Sequence, residues 1–183
     1  QHGSTEVDAV HLGVGKCVDV RQGAVADRAP HVENAPGREV GVVDGEMVGR
    51  QGAFNSAGFT IHSACYLARE DVGAVIHLHT RASIAVASVK CGLIPMSQHS
   101  LYVIDDLSYH EYEGPATNLD ERESLGRNLA DKNNMLLVNH GSLSVGRTIP
   151  HAFRNSYYLE KSCDIQVAAQ SLGDEIILME KDI

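Results

Sequence analysis

The chain is 183 residues long, with 43% hydrophobic and 21% charged residues, the size and balance of one soluble globular domain. Asp and Glu number 24 against 15 Lys and Arg, a formal charge of −9, which disfavours a nucleic-acid phosphate partner. No apolar run reaches the ~18 residues of a membrane span, and no basic-then-apolar signal peptide is read at the N-terminus. Four cysteines, Cys17, Cys65, Cys91 and Cys163, lack CxxC spacing and read as buried, reduced thiols of a cytoplasmic protein.

Composition changes near residue 54. Residues 1–54 hold one Leu, no Ile and nine of the 17 glycines, whereas the remainder holds fourteen Leu and ten Ile. Residues 1–38, with His2, His11 and His31, show no clear period and stay unassigned; residues 39–183 read as one domain. A strand is expected over Glu39–Val43, followed by a tight turn at Asp44–Gly45.

From Asn55 the signals become regular. Asn55 or Ser56 caps an expected helix to about Arg69, with Phe59, Ile61, Cys65 and Ala68 facing the core. Val72–His79 is a short β-branched run that reads as a buried strand. Thr80 then caps a helix over Ala82–Lys90, ended by Gly92. Leu101–Ile104 and Ser108–Tyr112 are expected strands. Asn118-x-x-Glu121 has the form of a capping box opening a helix to about Lys132. Met135–Asn139 and Ser142–Val145 read as strands, and Thr148 with Pro150 opens a long helix through Leu172. Alternating strands and helices give an α/β layered domain.

The densest chemistry lies in Val75-Ile76-His77-Leu78-His79-Thr80. Side chains two apart on a strand share a face, so His77 and His79 project side by side. Imidazole is a common ligand of zinc and similar ions, and a third ligand is available from Asn139-His140-Gly141. By spacing alone, these histidines read equally well as strand-end residues bonded to their neighbours. His62 reads as a helix packing residue, and His110 and His151 as surface or structural ones. His99, in the loop after Pro95, is either a general acid/base or a solvent-exposed loop residue. No phosphate loop or GxSxG elbow occurs. Asp105-Asp106 and Asp120-Glu121-Arg122-Glu123 read as solvated faces. Tyr157, Tyr158 and Leu159 read as core or subunit interface.

Taken in order, five segments resemble the class II aldolase/adducin family. They are Asn55-Ser56-Ala57-Gly58-Phe59-Thr60-Ile61-His62, Val75-Ile76-His77-Leu78-His79-Thr80, Lys90-Cys91-Gly92-Leu93-Ile94-Pro95, Tyr109-His110-Glu111-Tyr112-Glu113-Gly114 and Asn139-His140-Gly141-Ser142-Leu143-Ser144-Val145-Gly146. The resemblance implies a three-layer α/β/α sandwich with a central mixed, mainly antiparallel sheet. It also implies a homo-oligomer, usually a tetramer with sites at subunit interfaces. On the family pattern His77, His79 and His140 are ligands of a divalent metal, commonly zinc, with iron, manganese or cobalt as alternatives. The metal there acts as a Lewis acid on a small hydroxy-carbonyl or sugar-derived substrate in aldol-type lyase chemistry. Asn55 and Ser56 are the implied substrate contacts, Ser56 matching a phosphate-contacting serine.

Three features depart from the enzymes of the family. The catalytic Glu or Asp, four residues before the helix His, is Gly58 here, and the second serine of the phosphate pocket is Ala57. The family's opening helix and Gly-Asn or Gly-His turn are not found in residues 1–38. The resemblance implies a site-lining residue just after Pro95, which makes His99 the candidate for proton transfer. The Asn-x-Ala-Gly-Phe wording resembles the adducin branch, so the alternative is a non-catalytic module that binds protein partners such as the actin cytoskeleton. Animal adducins do not keep the full histidine triad that this chain has.

Overall fold

The computed structural model describes residues 40–43, 46–49, 56–116 and 118–179, the first two strands and Ser56 in backbone only. Residues 1–38, Cys17, Asn55 and the turn residues 44 and 45 lie outside the described residues. Strands β1 (Val40–Val43) and β2 (Glu46–Gly49) pair antiparallel, with Val43 opposite Glu46.

The remaining elements build a second sheet with helices on both faces. Helix α1 spans Ser56–Ala68, β3 Ala74–Leu78 and α2 Arg81–Ala87. Helix α3 is one turn, Gln98–Leu101, followed by a 3-10 turn over Ile104–Asp106 and strand β4, Leu107–His110. Helix α4 spans Glu121–Leu129, β5 Asn134–Leu137, β6 Gly141–Gly146 and α5 Ile149–Gln170. The sheet order is β3-β6-β5-β4. Its β3–β6 and β6–β5 pairs are antiparallel and its β5–β4 pair is parallel.

Period-2 alternation on the central strands makes two cores. Met135 and Leu137 of β5 and Leu143 and Val145 of β6 pack with Ile61, Ala64 and Cys65 of α1 and Leu125 and Leu129 of α4. Leu136, pointing the other way, packs with Ala82 and Val86 of α2 and Leu159 and Cys163 of α5. Full burial of one such leucine contributes about 1.5–3 kcal/mol, so the central strands fix the layer order. The architecture is the expected three-layer sandwich. Burial pushes the thiols of Cys65 and Cys163 up to about 12, but Cys91 is exposed, against expectation.

Other local expectations need correction. Leu101–Ile104 is not a strand. Ser97 and Ser100 exchange side-chain and backbone bonds in a capping box, which turns the chain into α3 before the apolar run can extend. Asn118 does not cap α4; its side chain accepts the Asp120 N–H at 3.1 Å, making a turn one residue ahead of the helix. Ala68 is exposed rather than facing the core. Two acidic clusters are not simply solvated. The Asp106 carboxylate accepts both the backbone N–H and side-chain amide of Asn133, at 2.8 and 2.9 Å. Glu121 is buried against His110 at 3.4 Å, and Asn128 lies 2.9 Å from the other ring nitrogen, so His110 braces β4 to α4.

Candidate metal centre

Two segments deliver the histidines. Strand β3 presents His77 inward, and His79 follows its last residue. Thr80 then N-caps α2, its hydroxyl accepting the Ser83 N–H at 3.1 Å. His140 comes from the turn between β5 and β6, where Asn139 takes a left-handed conformation, φ 57°, that its side chain tolerates. Gly141 is required at the next position. A Cβ there would lie 2.3 Å from the Leu78 carbonyl oxygen, so only glycine lets the turn close on the end of β3.

The result is a group of three imidazoles whose ligand atoms all lie within 4.8 Å of one another. His79 Nε2 is 2.8 Å from His77 Nε2 and 3.0 Å from His140 Nε2. His77 Nδ1 lies 2.9 Å from the Ser142 carbonyl oxygen. A carbonyl can only accept, so Nδ1 carries the proton and the Nε2 lone pair faces the group. Burial first, and then the neighbouring imidazoles, depress the His77 pKa to about 3, against the Ser142 bond, which raises it. Burial, then His79, lowers that of His140. Both rings are neutral at pH 7, as metal ligation requires. Nitrogens bound to one tetrahedral zinc at 2.0–2.1 Å would stand about 3.3 Å apart, close to the spacings here. The donor set and its spacing fit a divalent transition metal.

Behind the histidines lies a carboxylate that the sequence did not single out. Glu160 of α5 accepts hydrogen bonds from Thr80 Oγ1 through one oxygen and from Ser142 Oγ through the other. The available signal was its position. It lies four residues after Ser156 and three before Cys163, on the face that α5 buries.

The three-histidine group does not include the remaining candidates. His99, in α3, is half-buried with its ring centroid 5.9 Å from that of Tyr158 on α5. The side chains of Asn55 and Ser56 lie outside the described residues, Ser56 supplying the first backbone of α1. Gly58 is buried in α1, one turn before the buried His62. His151 is exposed at the start of α5, as expected. The segment preceding α3 is firmly held: Gln166 of α5 bonds the Ile94 N–H at 2.9 Å and the Gly92 carbonyl at 2.7 Å.

Comparison with known proteins agrees with this geometry. Residues 24–167 match the family described as Class II Aldolase and Adducin N-terminal domain, and the chain belongs to that family. It is 48% identical over 125 residues to a provisionally assigned class 2 aldolase of Caulobacter vibrioides, covering 68% of this chain and 49% of that protein. It is 39% identical over 130 residues to mouse alpha-adducin, covering 69% of this chain and 18% of that one. Among solved structures, an aldolase II superfamily protein from Pseudomonas syringae superposes with a TM-score of 0.71 at 45% identity, over 76% of this chain and 57% of that one. The L-fuculose 1-phosphate aldolase of Glaciozyma antarctica superposes with a TM-score of 0.64 at 30% identity, over 75% and 53%. The chain thus spans about half the length of its aldolase relatives. No helix among the described residues is long and apolar enough to cross a membrane.

Proposed function

We propose that this chain is the metal-holding domain of an aldolase-type lyase acting on a small hydroxy-carbonyl or sugar-derived compound. The observation that carries the reading is the convergence of His77, His79 and His140 on one point. These three residues are the proposed ligands of a divalent metal, zinc first and iron, manganese or cobalt as alternatives. Bound there, the metal supplies Lewis acidity toward substrate oxygens. His77, held neutral by burial and oriented by Ser142, offers its Nε2 lone pair without needing to lose a proton at pH 7. Asn55 and Ser56 are proposed substrate contacts. Position 58 offers no carboxylate, and His99, just after Pro95 where family enzymes place a site-lining residue, is the proposed proton-transfer group.

Assembly into a homo-oligomer, a tetramer by family likeness, is supported by Ile149, Phe153 and Tyr157. These are exposed at one-turn spacing along α5. A cytoplasmic location fits unpaired Cys65, Cys91 and Cys163.

Elemental analysis of the purified protein beside His140→Ala tests the reading. About one metal per chain, lost in the variant, is expected; metal-free folded protein overturns it. A second reading, a non-catalytic adducin-like module binding actin, is favoured by Gly58 and by the identity with mouse alpha-adducin. Co-sedimentation with actin filaments, without metal or lyase activity, would select it.

A further inference from the structure

The β3–β6 ladder ends at the pair Leu78–Ser142. Beyond it the two segments that carry the histidines stay packed where Gly141 meets Leu78 and the His79 ring, and then diverge. His79 and Thr80 run on into α2, while Gly141 and His140 lead back into the turn after β5. Among the described residues no backbone hydrogen bond joins these continuations, and His79 Nε2 lies 3.0 Å from His140 Nε2.

Glu160 lies where the ladder stops. Its Oε2 accepts from Thr80, the residue after His79, and its Oε1 accepts from Ser142, whose carbonyl orients His77. The proton assignments are constrained. Thr80 Oγ1 accepts the Ser83 N–H and lies 2.8 Å from Ser83 Oγ; with Ser83 donating there, the Thr80 proton goes to Glu160. The one hydroxyl proton of Ser142 goes to the other oxygen. A carboxylate offers two acceptor oxygens in one plane and so receives one hydroxyl on each. The carboxylate comes from a third element, α5, whose buried face anchors it beside Leu159 and Cys163.

We propose that Glu160 is a positioning residue for the metal centre, clamping the His79–Thr80 and Ser142 segments in register so that the three imidazoles are preorganised. This rests on the reading of His77, His79 and His140 as metal ligands. Groups that orient metal ligands typically contribute 10–100-fold to metal affinity when removed.

The test is a Co²⁺ titration of the metal-stripped full chain, followed by visible absorption, for the parent, Glu160→Gln and Glu160→Ala. Far-ultraviolet circular dichroism and thermal melting are recorded in parallel. The expected result is a Kd raised about tenfold or more in Glu160→Ala, with helix content retained. Glu160→Gln falls between, because its amide keeps one acceptor and turns a donor on the other hydroxyl. Ser142→Ala weakens binding in the parent and adds little on top of Glu160→Ala, since both remove one clamp. Kd values within about twofold of the parent in both Glu160 variants overturn the clamp while leaving the metal centre standing. If Glu160→Ala does not fold, the Gln and Ser142→Ala variants decide by the same criterion. A parent chain that takes up no Co²⁺ overturns the metal centre itself, and the clamp with it.

Discussion

His77 donates its Nδ1 proton to the Ser142 carbonyl oxygen at 2.9 Å, across the end of the β3–β6 pairing. That bond fixes the tautomer, and burial disfavours a second proton on the ring. The pKa of His77 is down to about 3, and that of His140 is also lowered. Unfolded, each would protonate near 6.5. The folded chain therefore binds fewer protons than the unfolded chain below pH ~6.5, and stability rises with pH through that window. The contribution is complete above pH ~6.5 and is lost progressively as pH falls toward 3, at about 1 kcal/mol per unit for one such ring. The metal-stripped protein should melt several degrees lower at pH 5 than at pH 7.5. A His77→Phe variant, which removes the titrating group, should show a shallower dependence. Equal slopes in parent and variant would show that acid sensitivity arises elsewhere.

Gly141 gives a prediction of the opposite kind, steric rather than ionic. In Gly141→Ala the new methyl meets the Leu78 carbonyl at 2.3 Å and the His79 ring at 3.1 Å. Backbone cannot yield cheaply there, so the turn must move off β3 and carry His140 with it. A loss of about 1–3 kcal/mol in stability is expected, together with loss of most bound metal. Metal content by elemental analysis and a melting curve measure the two effects separately. A variant that keeps full metal occupancy would contradict the close approach of Leu78 and residue 141.

The sequence made the histidine group legible because its signals are local. Period-2 spacing places His77 and His79 on one face, and Gly141 marks a sharp turn beside His140. The alternation of Met135, Leu136 and Leu137 likewise announces a central strand. Long-range partners carry no such signal. Glu160 meets Thr80 from 80 residues away, and His110 meets Glu121 across a loop that no periodicity records. That is why Glu121 reads as solvated in the sequence and is buried in the fold. The run from Leu101 to Ile104 is apolar enough for a strand, but the bonds between Ser97 and Ser100 start a helical turn that ends at Leu101, and a 3-10 turn begins at Ile104.

Helix α5 buries one face and leaves another uncovered. Ile149, Phe153 and Tyr157 are 56%, 63% and 47% exposed, forming a stripe that a second copy would bury. If assembly uses this stripe, Phe153→Glu should lower the oligomeric state measured by light scattering on a sizing column. The side chain is on the surface, so the melting temperature of the isolated domain should change little. An unchanged assembly in Phe153→Glu and Tyr157→Glu together would exclude this face as the contact.

His99 is the last assignment open to direct test. Its ring rests 5.9 Å from that of Tyr158, and the turn carrying it is fixed by the Ser97–Ser100 capping box. A proton-transfer role predicts that His99→Ala lowers turnover by about a hundredfold or more on a substrate the parent cleaves. Metal content and melting temperature should stay unchanged. Loss of the packing contact alone would instead lower stability and spare turnover, so the two readouts separate chemistry from structure. Unchanged turnover would remove the proton-transfer assignment from His99.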